Sequence, residues 1–229
     1  MNLTEELRAL LRSEGAALVG IADMRGVTGC AYSAGAAVAL PLPRHIVLDL
    51  QTAPTQEYLE AYSELNRRLN AIVTAGEQFL LSRGCEAYAQ TTERISAEKD
   101  RPAAVPHKTV ATRAGLGWIG KNCLLVTPRY GSAVRLSSIL TNAPLKCDEA
   151  IDSSRCGNCA LCVAACPGGA LHGALWHAGT ARAEIVDVDR CYDTQREVFR
   201  RAVGGERDLC GKCFAVCAYT QKYLAEGGD

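Results

Sequence analysis

The chain has 229 residues, 48% of them apolar and 22% charged, which fits a globular protein with a full core and excludes a disordered or low-complexity chain. Its 25 Lys and Arg are matched by 25 Asp and Glu with no basic run, so the charge does not announce nucleic acid. The opening Met1-Asn-Leu-Thr-Glu-Glu lacks the basic and apolar regions of a secretion signal, and the longest apolar stretch, 34–42, is too short for a bilayer, so a cytoplasmic chain with no membrane partner is expected.

Leu3, Leu7, Leu10 and Leu11 recur at helical spacing, with Asn2 placed to cap and Gly15 to stop, so residues 3–15 predict an amphipathic helix. Two short buried strands follow at 17–22 and 36–42, the second closed by Pro41 and Pro43. Between 54 and 82, Tyr58, Tyr62, Leu65, Leu69, Ile72 and Phe79 mark one buried face of a long helix. Residues 85–90 read as a strand, 91–106 as a charged loop, and 107–114 as a helix. Strands at 122–126 and 133–140 flank the turn 128–131 and predict a hairpin. Helices and antiparallel strands in this order predict an α+β sandwich with one main sheet. Composition turns polar after Pro144, which places a boundary near 145 and gives domains 1–145 and 146–229. In the second, 184–189 is expected as a strand delivering Cys191, and 195–202 as a helix.

Cys156, Cys159, Cys162 and Cys166-Pro167 spell C-x2-C-x2-C-x3-C-P, an iron–sulfur run. Its tight turns let three thiolates wrap one cubane, while the fourth points to a second cluster. Downstream, Cys210, Cys213 and Cys217 form C-x2-C-x3-C, and Cys191 supplies the missing thiolate. Assigning the last cysteine of each run to the other cluster gives Cys156, Cys159, Cys162 and Cys217 to one [4Fe-4S] centre and Cys166, Cys191, Cys210 and Cys213 to the other. A zinc ribbon on Cys156, Cys159, Cys210 and Cys213 is the plainer alternative, but it leaves four further cysteines at ligand spacing without a role. Cys30, Cys85, Cys123 and Cys147 show no such spacing and read as packing.

The stretch from Gly115 to Asn122 imitates two nucleotide motifs by letter. A dinucleotide fingerprint must leave a strand and open a helix, and a Walker loop needs Ser or Thr where Asn122 stands; here the order of elements is inverted. Three glycines in six residues instead ask for close backbone approach, to a strand or to a flat cofactor. Tyr58, Arg113, Gly115, Gly117, Trp118 and Lys121 are the candidate cofactor-binding residues, and Asp100 and His107, both upstream of the turn, are the candidate proton donors.

The run 108–122, Leu124-Leu-Val, Tyr130-Gly-Ser, Ile139-Leu-Thr and Pro144-Leu145, followed by the eight cysteines, resembles the epoxyqueuosine reductase family over residues 105–217. The resemblance implies a nitroreductase-like domain that binds a base-off corrinoid such as cobalamin, fed by a ferredoxin-like module with two [4Fe-4S] clusters. It also implies an electron donor, such as reduced ferredoxin or flavodoxin, and a small-molecule substrate. Family members acting on tRNA carry a C-terminal helical-repeat extension, whereas this sequence runs twelve residues past Cys217. They also place an acidic proton donor seven residues before the lysine matched by Lys108, where this chain has Arg101, with Asp100 one residue out of register. The expectation is an iron–sulfur reductase passing electrons to a corrinoid or small substrate. The alternatives are a ferredoxin-type carrier without corrinoid and an epoxyqueuosine reductase acting on tRNA.

Overall fold

The computed structural model describes residues 2–97 and 105–227. Its backbone gathers into two compact units, each drawn from three stretches. The first comprises Met1–Leu40, Glu64–Gly117 and Arg135–Ile151; the second comprises Pro41–Ser63, Trp118–Val134 and Asp152–Asp229.

The first unit opens with α1, Leu3–Ser13, whose Asn2 cap accepts the Glu5 N–H at 3.0 Å and satisfies one of the unpaired donors of the first turn. Leu7 and Leu11 on its inner face are fully buried, each contributing roughly 1.5–3 kcal/mol. Beside it lies a four-stranded sheet in the order β1-β2-β6-β3: β1 is Leu18–Asp23, β2 Ala34–Pro41, β3 Ala87–Ala89 and β6 Val134–Thr141. The β1 and β2 strands pair antiparallel from Leu18↔Ala39 to Asp23↔Ala34, and β3 pairs antiparallel with β6 from Ala87↔Thr141 to Ala89↔Ile139. All of β2 but its last residue is buried, which is why its sequence shows no alternation.

The long helix α3, Gln56–Ser82, is the expected one, with Leu65, Leu69, Ile72, Val73 and Leu80 buried. Buried Glu77 on this helix accepts the Ala89 N–H at 2.9 Å and two Arg94 N–H groups at 2.5 and 3.1 Å, so it ties α3 to β3 and to α4, Thr92–Ala97. The short helix α5, His107–Arg113, lies against β1 at Gly20, where a Cβ would stand 2.4 Å from the Ala114 carbonyl oxygen. Only a residue without a side chain permits that approach.

In the second unit, β4, Trp118–Ile119, and β5, Leu125–Val126, form a small antiparallel hairpin. The turn between them carries Cys123 at φ 58 and is closed by the Gly120 N–H on the Leu124 carbonyl at 2.9 Å. The helix α10, Ala218–Ala225, seats against this hairpin and its following turn. Thr220 Oγ1 accepts the Ser132 N–H at 3.0 Å, Tyr223 meets Tyr130 edge-on at 5.2 Å, and the Tyr223 hydroxyl donates to the Leu42 carbonyl at 2.9 Å.

Three expectations are corrected. The strand at 122–126 does not pair with the one at 133–140: β5 pairs back onto β4 and β6 joins the main sheet, because the glycine-rich stretch supplies both the partner strand and its turn. Residues 184–189 are not a strand. The helix α7, Arg182–Ile185, and a single bridge from Leu171 to Val186 lead into α8, Val188–Ala202, which the Asp187 carboxylate caps by accepting the Arg190 N–H, so Cys191 rides a helical first turn. The loop expected at 91–106 holds α4 at its start, and α2, Arg44–Asp49, was not foreseen. Among the described residues no helix is long and apolar enough to cross a membrane.

Candidate metal centres

Both cysteine runs fold as turn, one-turn helix, turn. The Cys159 N–H closes on the Cys156 carbonyl at 3.1 Å, α6, Leu161–Ala164, carries Cys162, and Cys166 follows with its N–H on Val163. In the second run Gly211, at φ 85, opens α9, Lys212–Ala215, which carries Cys213 and packs beside α6; the Cys217 N–H then closes on Phe214 at 3.2 Å. These one-turn helices expose amide N–H groups near the sulfurs, the arrangement that stabilises thiolate clusters.

The thiols lie close enough to raise one another, and Cys213 feels members of both expected sets. Burial pushes the Cys162 thiol up to about 11, and the neighbours that reinforce it are Cys217, Cys156 and Cys159. Burial likewise raises Cys191, next to Cys166 and Cys210, and raises Cys213, beside Cys210, Cys162, Cys191 and Cys166. Cys210 is raised by burial and by Cys166, against the opposing backbone N–H of Lys212. Thiols crowded this way repel one another as anions and need a cation to hold them deprotonated, which iron supplies. Two sulfurs already accept hydrogen bonds, Cys166 from the Ala170 N–H at 3.3 Å and Cys191 from Gln195 Nε2 at 3.4 Å. Among the described residues no three His, Cys, Asp or Glu side chains close on one point as around a single ion. A cubane gives each thiolate its own iron, so a wider cradle suits it.

The candidate cofactor residues divide between the units. Tyr58, Trp118 and Lys121 are buried in the second. Tyr58 packs edge-on against Tyr62 and against Phe214, next to Cys213, at ring distances of 6.4 and 6.3 Å, a core contact. Trp118 meets Tyr219 edge-on at 4.9 Å, carries the Arg155 guanidinium over its ring at 5.6 Å, and leaves its Nε1 buried with no acceptor among the described residues. In the first unit, Arg113 donates to the Asp23 and Arg25 carbonyls and so braces the end of β1. Gly115 sits at φ 68 where a Cβ would meet the Glu149 carbonyl oxygen at 2.7 Å, and Gly117 is buried. Backbone packing therefore accounts for Gly115.

Asp100 lies outside the described residues. His107 is half-buried at the start of α5, with Nδ1 2.8 Å from Ser138 Oγ, which in turn accepts Gln90 Nε2 at 2.6 Å. Burial, then the Arg135 guanidinium, lowers its imidazolium to about 4, so the ring is neutral near pH 7 and is not an imidazolium acid there. Sequence reasoning missed the Gln90–Ser138–His107 chain, which joins three elements and leaves no local spacing. It also passed over Arg155 and Tyr219, although each stands within two residues of a cluster cysteine.

Residues 155–220 match the family model described as a 4Fe-4S double cluster binding domain. The chain is 40% identical over 114 residues to the epoxyqueuosine reductase of Listeria monocytogenes, covering 49% of this chain and 29% of that one. It is 40% identical over 148 residues to the epoxyqueuosine reductase of Pseudomonas aeruginosa, covering 58% and 38%. This chain is similar to the epoxyqueuosine reductases. It spans less than two fifths of the length of these curated relatives. Among solved structures, epoxyqueuosine reductase with a tRNA-Tyr epoxyqueuosine-modified stem loop superposes with a TM-score of 0.62 at 23% identity, covering 96% of this chain and 65% of that one. The catabolic reductive dehalogenase NpRdhA with 3-bromo-4-hydroxybenzoic acid gives 0.73 at 18% identity, covering 94% and 31%. These likenesses establish a shared fold of mixed helix and sheet. Residues 155–220 form a domain of the kind that binds two [4Fe-4S] clusters, and these are the cofactors of the chain.

Proposed function

We propose that this chain is a reductase of the epoxyqueuosine type, in which the two clusters supply electrons for removing an epoxide oxygen from a modified nucleoside carried on tRNA. The observation that carries this reading is the pairing of 40% identity to epoxyqueuosine reductases with the match of residues 155–220 to a double-cluster domain. Taking an epoxide to an alkene and water needs two electrons and two protons, and two one-electron clusters hold that pair of electrons. The sequence's even charge argued against RNA; the relatives' substrate outweighs it in this reading.

In this reading Cys156, Cys159, Cys162 and Cys217 hold one cluster and Cys166, Cys191, Cys210 and Cys213 the other, each cluster shuttling one electron when bound. The protein residues hold the thiolates, shield them from water and set the potentials. Of the two candidate proton donors His107 is neutral near pH 7, which leaves Asp100, whose carboxyl must then be protonated when substrate is bound. The main sheet with α1, α3 and α5 is read as a nitroreductase-like domain and 146–229 as the ferredoxin-like module. A corrinoid is part of the family's plan, but Arg113 and Tyr58, two of its candidate ligands, are already engaged by protein groups.

The test is anaerobic. Protein with both clusters reduced is mixed with a tRNA stem loop bearing epoxyqueuosine, with and without added cobalamin, and the nucleosides are separated by mass. Loss of one oxygen from the modified nucleoside supports the proposal. Reduced protein that leaves the nucleoside unchanged under both conditions rejects it.

A further inference from the structure

Trp118 is the largest fully buried side chain among the described residues, at 1% exposure, and its indole N–H has no acceptor among them. A buried donor left unpaired costs roughly 1–3 kcal/mol, so a native fold that keeps one has a use for it, and a bound group is one such use. Its ring partners say which group. Arg155, over the ring at 5.6 Å, immediately precedes Cys156; Tyr219, edge-on at 4.9 Å, stands two residues after Cys217. Cys156 and Cys217 belong to the same quartet. The column continues to Lys222, whose ammonium lies 5.1 Å over the Tyr219 ring, so both ends are cationic. All four residues lie in the second unit, with the cysteines.

We propose that Trp118 donates its indole N–H to an inorganic sulfide of the cluster held by Cys156, Cys159, Cys162 and Cys217, and that this hydrogen bond, within the Arg155–Trp118–Tyr219–Lys222 column, raises that cluster's reduction potential. The proposal rests on the two-cluster reading. A reduced cubane carries one more negative charge than an oxidised one. A donor to its sulfide therefore stabilises the reduced form more, and hydrogen bonds to sulfur are a known lever on cluster potential. Trp118 acts here as a tuning residue, through the cluster.

The test is Trp118→Phe in the full chain, prepared anaerobically and titrated by potential with electron paramagnetic resonance. The substitution keeps the ring in the column and removes the N–H. One of the two midpoints is expected to fall, by up to about tenfold in the reduction equilibrium, or 59 mV for one electron, while the other stays. Wild-type protein labelled with 15N-tryptophan gives a second readout that needs no variant at Trp118: a 15N and an exchangeable-proton coupling to one reduced cluster. That coupling should survive Trp176→Phe, the only other tryptophan. Two cluster signals with unmoved midpoints and no 15N coupling would overturn this inference alone. Absence of any cluster signal would overturn the two-cluster reading with it.

Discussion

Replacing Gly131 by alanine should unseat α10 and with it one cluster ligand. Gly131 has φ 57, and a Cβ there would stand 2.2 Å from Thr220 N, 2.4 Å from its Oγ1 and 2.6 Å from its Cα. Two of those atoms are backbone and Thr220 is fully buried, so no rotamer change relieves the clash. Forced overpacking costs about 1–3 kcal/mol, and a left-handed non-glycine residue roughly 1–2. Losing the Ser132 N–H to Thr220 Oγ1 bond adds about 1. The total, about 3–6 kcal/mol, rivals the stability of a whole domain. Cluster proteins do not unfold in two states, so the assay is iron and sulfide content of the purified protein, with the rate at which visible cluster absorption is lost on heating. The variant should hold about half the wild-type iron and bleach faster, because Cys217 leads directly into α10. Gly204→Ala is the control: φ is 89 there, but nothing lies within 4 Å, so only the backbone strain is felt. Equal iron and equal bleaching in Gly131→Ala would refute the seating of α10 on the hairpin.

Cys217→Ser and Cys213→Ser should each halve the iron content while abolishing different resonance signals, and the double variant should remove both; a zinc ribbon would instead leave Cys217→Ser fully metallated. Glu77→Ala strands the buried Ala89 N–H and loosens Arg94, and should cost about 2–4 kcal/mol in thermal stability, with Glu77→Gln recovering part of it. His107 has a folded value of about 4 against 6.5 when free, so the unfolded chain takes up a proton that the folded chain refuses as pH falls between the two. Stability linked to this ring is therefore flat above 6.5 and lost on acidification toward 4. The gap corresponds to roughly 3 kcal/mol at full burial and about 1–2 for a half-exposed ring. The His107 ring resonances should stay neutral down to about pH 5, and a titration centred near 6.5 would remove the effect.

The elements read most easily from sequence were those whose cause is local. The Asn2 cap and the α3 stripe each depend on residues a few positions apart, and each formed as its pattern required. The elements misread were decided at a distance. Residues 122–126 carry the same β pattern whichever strand they join, and only the turn at 120–123, with Cys123 in a left-handed conformation, sends them back onto Trp118. Asp187 reads as one more alternating residue of a strand until its carboxylate is seen capping α8. At the site, a double-cluster domain over residues 155–220 was legible because cubanes dictate cysteine spacing. The purpose of Arg113 was not, because a guanidinium spent on two carbonyls and one held ready for a ligand look alike in sequence.

The interleaving of the two units has a consequence for the order of events on the ribosome. The first draws its last stretch from Arg135–Ile151, so all of its parts have been synthesised before any thiol of the Cys156 run is made. The second begins at Pro41 but cannot finish until Cys217 and α10 emerge. Its early segments, 41–63 and 118–134, must wait half-made while the rest of the chain grows. Iron delivery is thereby deferred until Cys217 has been made, when every stretch of the first unit has already been synthesised.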